Sequence, residues 1–279
     1  MATVMVTGLS GMSALKGPSG DIDYETVLAG DHRADKERAR DASRHPQGTL
    51  EFFGLSGDMS VAEIWPGGSA WYLKVIAPAL KSGGGTYYAV TPWDPASDSE
   101  RVQGAIKKFD ETIVADTGTY GTVHRTLMRG ASTDIAPDGS LDMVLTFRNV
   151  HNWMTGKEDT DFSQAYMKAF FKALKPGGIL GVVEHRANDA NPHDPAARNG
   201  YVHVAQVKAL AAAAGFEFVE ASQVNTNAAD TKDHPFGVWT LAPSRRTSPY
   251  GQDPDPAFDR TPYDAIGESD RMTLKFRKP

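Results

Sequence analysis

The chain has 279 residues, 40% hydrophobic and 23% charged, a size that suits one large domain or a medium domain with extensions and supplies a substantial core. Twenty-nine Lys and Arg against 35 Asp and Glu leave a net charge of −6, which argues against a general nucleic-acid or anionic-membrane binder while leaving room for a local basic pocket. The absence of cysteine excludes disulfides, thiolate metal sites and a cysteine nucleophile, and no apolar run approaches the roughly 18–20 residues of a membrane span.

Residues 1–20 are rich in small residues and lack a basic start followed by an apolar block, so they read as a flexible leader rather than a secretory signal. The expectation is a cytoplasmic chain as written, with a native signal removed upstream of this start left open. Residues 21–57 read as an N-terminal helical extension. Its charged run DKERARDASRHP ends at Pro46, and the residue before a proline disfavours helical geometry, so a helix closes near His45. Arg38, Arg40 and Arg44 there read as a lid over a pocket or as a solvated helix face. The apolar stretch TLEFFGL is stopped by the turn signal SGD.

Residues 58–279 alternate between two periods. Strands are predicted at 59–65, 85–91, 122–128, 140–147, 178–184 and 216–224. Helices are predicted at 70–80, 99–113, 161–175 and 203–215; in the third, Phe162, Tyr166, Ala169, Phe170 and Leu174 recur at helical spacing. This alternation implies an α/β domain with a mainly parallel sheet covered by helices on both faces. VWTL at 238–241 and MTLKF at 272–276 read as late strands without an intervening helix, which suits an antiparallel strand at the sheet's end. The proline-rich segment 243–262 reads as a long loop.

In such sheets ligands bind beyond the carboxyl ends of the strands. After the first strand, Glu63-Ile-Trp65-Pro-Gly67-Gly68-Ser69 runs through glycines into a helix, a turn that lets a backbone approach a ligand and offers free N–H groups. By itself the turn is equally a tight strand-to-helix loop. After the fourth strand comes Arg148-Asn149-Val150-His151-Asn152-Trp153, and the fifth ends in Glu184-His185-Arg186. A histidine titrates near neutrality and suits proton removal, although a loop histidine also packs or caps. Arg148 and Arg186 suit an anionic group, because a guanidinium pairs with carboxylate or phosphate through a planar fork; an ion pair with Glu184 is the competing reading. Asp230, Asp233 and His234 in DTKDHP read as a polar turn ahead of a metal site.

The helix followed by L-K-P-G-G and an apolar strand ending in an acid resembles the fourth-to-fifth-strand region of class I S-adenosylmethionine-dependent methyltransferases. From about Glu37 onward, RARDASRHP, EIWPGG, FRNVHNW, GVVEHR, DTKDHPFGVWTL and IGESDRMTLKF together resemble a bacterial family of predicted methyltransferases. That resemblance implies a Rossmann-like seven-stranded sheet with an antiparallel last strand, and S-adenosylmethionine as cofactor. It places cofactor contacts at Glu63, Trp65, Gly67, Gly68, Asp94, Ala131, Arg148 and Asn149. The usual first motif is E/D-x-G-x-G-x-G; here the glycine positions hold Trp65, Gly67 and Ser69, and Asp94 sits late after its strand. FRNVHNW resembles the H-D-W segment of small-molecule O-methyltransferases, which makes His151 the candidate general base, with asparagine in place of the middle acid, and His185 the second catalytic candidate. The expected partner is a small-molecule acceptor, with no nucleic acid, membrane or metal, and a homodimer stays open. Two other readings remain: a nucleoside-binding protein of the same fold that does not methylate, and an NAD-dependent oxidoreductase, which the missing G-x-G-x-x-G disfavours.

Overall fold

The computed structural model describes residues 20–154 and 161–279. The expected leader therefore lies, apart from Gly20, outside the described residues. Seven strands form one sheet: β1 (Ser60–Ile64), β2 (Thr86–Thr91), β3 (Val123–Leu127), β4 (Leu141–Phe147), β5 (Leu174–His185), β6 (Glu217–Ser222) and β7 (Arg271–Arg277). Their order is β3-β2-β1-β4-β5-β7-β6, parallel through β5, with β7 antiparallel to both β5 and β6. The mainly parallel sheet expected from the alternation, and the Rossmann-like seven-stranded form that the resemblance implies, are thus present. β1 pairs with β4 in register Ile64↔Thr146, so the chain reversal in strand order falls between them and their carboxyl ends open side by side.

Each sheet face buries its own cluster. On one face α8 (Val150–Met154), α9 (Ser163–Ala173) and α10 (Val204–Ala213) cover Ile64, Val144, Leu180 and Phe276 with Trp153, Tyr166 and Phe170. On the other, α4 (Pro46–Phe53), α5 (Leu73–Gly83) and α6 (Glu100–Phe109) cover Val61, Tyr87 and Leu145 with Leu50, Phe53 and Ile76. Each such fully buried side chain contributes about 1.5–3 kcal/mol, which pins the strand ends that carry the site. No helix among the described residues is long and apolar enough to cross a membrane.

Four predicted elements change. The N-terminal extension is not one helix but α1 (Tyr24–Ala29), α2 (Asp35–Arg38), α3 (Asp41–Arg44) and α4; His45, in the left-handed region at φ 43°, ends α3, and Pro46 starts α4, which absorbs most of TLEFFGL. VWTL is not a strand. Gly237–Thr240 form a single 3-10 turn, because Gly237 at φ 58° lies so close to Asn199 that a Cβ would sit 2.3 Å from its carbonyl oxygen. The loop expected at 243–262 ends in α11 (Thr261–Ile266). Finally, Leu174, expected on a helix, pairs with Leu141 at the start of β5, beyond a register shift.

Candidate active site

The turn after β1 is built from unusual backbone. Trp65 (φ 49°), Gly67 (φ 72°) and Ala70 (φ 47°) all lie in the left-handed region. A non-glycine residue there costs about 1–3 kcal/mol, so Trp65 must be held by its surroundings. Its N–H donates to Val90 O at 2.7 Å and its indole N–H to Met128 O at 2.9 Å, while the ring meets Trp153 and Tyr166 edge-on at 6.3 Å. A Cβ built on Gly67 or Gly68 would meet no atom within 4 Å, so the turn is open where a ligand would lie against it.

Glu63, two residues before Trp65, is 2% exposed and accepts a hydrogen bond from the Tyr87 hydroxyl. Burial pushes its carboxyl up to about 8, against the opposing pull of Tyr87, Arg148 and Arg44. At neutral pH it is therefore largely protonated.

The end of β4 is fastened to both neighbours. Arg148, at φ 62°, donates its backbone N–H to Val183 O at 2.7 Å, and the Asn149 side-chain amide donates to Ile64 O at 2.7 Å. Asn149 thereby locks the β4 turn to the β1 turn. On α8, His151 Nδ1 lies 3.0 Å from Glu184 Oε1, and Glu184, with no exposed surface, also accepts from the backbone N–H groups of His151 and His185 at 3.3 and 2.7 Å. The carboxylate can only accept, so the shared proton sits on Nδ1 and the basic lone pair of the imidazole on Nε2.

His185 Nδ1 lies 2.6 Å from the Ser269 hydroxyl, with its ring 5.4 Å from that of His151. Burial, with His151 and the arginines nearby, holds it well below the ordinary histidine range, so it is neutral. His151, Glu184 and His185 are also groups that ligate metals, with candidate ligand atoms all within 4.8 Å of one another. The arginines that depress His185 likewise raise the electrostatic cost of a divalent cation there.

Three cavities border the β1 turn among the described residues, the smallest, of 150 Å³, lying against Gly68, Ser69 and Ala70. Of the two larger ones, the first, of 260 Å³, is lined by Glu63, Gly67, Arg148, His151, His185 and Trp239, and the second, of 640 Å³, by Gly68, Trp93, Arg101 and Arg129 beyond the ends of β2 and β3. Trp239 stands edge-on to His151 at 5.9 Å.

No family model matches the chain, and no curated protein matches it. Among solved structures it is similar to the [4+2]-cyclase SpnF, at 16% identity and a TM-score of 0.55, over 90% of this chain and 85% of that one. It is also similar to geranyl diphosphate C-methyltransferase from Streptomyces coelicolor A3(2), solved in complex with Mg2+, geranyl diphosphate and S-adenosyl-L-homocysteine, at 12% identity and a TM-score of 0.54, over 93% and 90%. The fold is that of the class I methyltransferases.

Of the expected residues, Glu63, Trp65, Gly67, Arg148, Asn149, His151 and His185 meet at the 260 Å³ cavity, and Gly68 lines the 640 Å³ one. Asp94 lines neither; its carboxylate accepts from Ala96 N–H at 2.8 Å. Ala131 is exposed on the turn bridged by Arg129 and Ser132, and Arg129 reaches the cavity in its place. Arg186, expected on an anion or on Glu184, is instead paired with Asp270 at 2.6 Å. Asp230 and His234 form a buried pair at 2.8 Å that also takes the Tyr201 hydroxyl, while Asp233 bonds Thr231. Trp153 is core, at 1% exposure. Trp239 was missed, although its segment DTKDHPFGVWTL carried part of the family resemblance; read as a strand, it gave no reason to face the site.

Proposed function

We propose that this protein is an S-adenosylmethionine-dependent methyltransferase acting on a small molecule, with oxygen as the acceptor atom. The observation that carries the reading is His151, held from behind by the buried Glu184 and lining the same cavity as the open glycine turn after β1. The cofactor fits the residues present: Gly67 and Gly68 leave room for close approach, Glu63 and Asn149 flank that turn, and the second cavity at Gly68 has space for the adenosine end. When bound, S-adenosylmethionine supplies an electrophilic methyl carbon on a sulfonium.

His151 takes the acceptor hydroxyl's proton at Nε2. Glu184 fixes the ring and stabilises the imidazolium through Nδ1. Neutral His185 and Trp239 border the acceptor and limit water. A general base of this kind contributes about 10²–10⁴-fold, so His151→Ala is expected to lower kcat by that order with donor affinity preserved, and to remove the acid limb of the pH–rate profile. Full activity of His151→Ala on a neutral hydroxyl acceptor would refute the base assignment.

A second reading, binding without methyl transfer, is favoured by Trp65, whose indole is anchored where the family has its first glycine, and by the likeness to a cyclase. It predicts S-adenosylhomocysteine binding with no label transferred from methyl-labelled donor to any acceptor.

A further inference from the structure

Arg40, Arg44, Arg148 and Arg271 converge beside the 260 Å³ cavity. One carboxylate, Glu268, serves three of them: Arg40 at 2.6 Å, Arg44 at 3.1 Å and Arg271 at 3.1 Å. Arg148 is different. Among the described residues its guanidinium has no ion pair and no hydrogen bond, and of the four it alone lines the cavity. Burial lowers its pKa, and Arg271 and Arg40 push the same way while Glu268 opposes them, yet a guanidinium stays protonated at any working pH.

Neither nearby glutamate supplies the missing charge. Glu63 is pushed up to about 8, and Glu184 is committed to His151 and to the His185 N–H. Arg148 is half-buried in the cavity wall, and a cation partly drawn out of water loses hydration that no protein anion replaces here. Here it is held there by backbone at φ 62°. A cation in that state is built to meet an anion that is not part of the protein.

The position of Arg148 identifies which part of the ligand that is. It follows β4, precedes His151 by three residues and lines the cavity together with His185 and Trp239, whereas the turn at 67–69 has its own N–H groups for the donor's tail. Beside Arg148, Phe147 and Tyr72 stack at 3.5 Å and present an apolar surface to the cavity. We propose that Arg148 binds a carboxylate or phosphate on the methyl acceptor, so that the substrates of this site are small organic acids or phosphate esters with a flat or apolar carbon skeleton. The acceptor part of this proposal rests on the methyltransferase reading; the anion-binding part does not.

The test titrates the full-length protein with benzoate, phenyl phosphate and neutral benzyl alcohol, each with and without saturating S-adenosylhomocysteine, by calorimetry and thermal shift. One or both anions are expected to bind and to raise Tm where benzyl alcohol does not. Loss of a charge-assisted fork lowers anion affinity about 10–100-fold, so Arg148→Gln is expected to lose the response and Arg148→Lys to keep part of it. Arg148→Gln is expected to fold at least as stably as wild type, because it removes an unpaired charge. The proposal is overturned if neither anion outperforms benzyl alcohol, or if Arg148→Gln keeps the response. It is also overturned if Arg148→Gln loses S-adenosylhomocysteine tightly in step with the anions while keeping 5′-methylthioadenosine, which lacks the carboxylate tail; Arg148 would then hold the donor. Failure of wild type to bind S-adenosylhomocysteine at all would sink the methyltransferase reading, and the titrations without it would still decide the anion site.

Discussion

Glu268→Gln is expected to be among the most destabilising single changes in this chain. Glu268 is 7% exposed and holds two arginines that are each 2% exposed, Arg44 from the N-terminal extension and Arg271 from the start of β7, together with the partly exposed Arg40. Arg271 also donates to Ser43 O, and the Tyr72 hydroxyl to Arg44 O, so the cluster fastens the extension to the sheet. Glutamine keeps the shape but leaves the arginines without a counter-charge. Removing one partner of a buried ion pair costs about 3–5 kcal/mol, equivalent to a fall in Tm of about 6–20 °C for a chain of this size. Urea denaturation at constant m-value and thermal melts measure it.

The pH dependence supplies a second reading of the same effect. Burial alone would raise the Glu268 carboxyl, but Arg44, Arg271, Arg148 and Arg40 together outweigh it and hold the group below the ordinary glutamate value of 4.5. A carboxylate depressed in the folded state contributes stability that is complete above its unfolded pKa and lost as pH falls through the folded one. The gap between wild type and Glu268→Gln is therefore expected to be constant from pH 8 to about pH 5 and to close in stronger acid. A gap under about 1 kcal/mol at pH 7, or one that widens in acid, would refute the reasoning.

Two further changes test the turn itself. Glu63 has the opposite linkage: with its pKa raised by burial from 4.5 to about 8, the folded state holds a proton that the unfolded chain gives up, so its contribution is lost as pH rises across that window. Glu63→Gln is expected to be more stable than wild type at pH 9, by up to about 5 kcal/mol, with the difference shrinking toward pH 5; melts at both ends measure it. Gly68→Val adds atoms where nothing lies within 4 Å, and Gly68 has no left-handed φ, so the variant is expected to fold like wild type. It fills the approach to the turn, and calorimetry is expected to find S-adenosylhomocysteine affinity reduced about tenfold or more; an unchanged affinity would remove the donor from this turn.

The parts of this molecule that were legible in the sequence are those fixed by short-range patterns. β1, β2, β4 and β5 are apolar runs bounded by turns, α9 shows its buried face at helical spacing, and the glycine turn and His151 follow directly from where those strands end. The remaining features depend on long-range packing. Trp239 faces His151 because Gly237 lies against Asn199, a contact that no local signal announces. The arginine cluster joins residues 224 and 228 positions apart, so three ordinary-looking charges on a polar helix gave no hint that Arg44 is buried. Glu184 was read with its neighbour in sequence, Arg186, whereas its partner is His151, 33 residues away and adjacent only across the parallel β4–β5 pair.

The most direct test of the account is calorimetry of the wild-type protein against S-adenosylmethionine, S-adenosylhomocysteine and NAD. One-to-one binding of both sulfur nucleosides is expected, and no binding of NAD. Heat from NAD alone, or from none of the three, would contradict it.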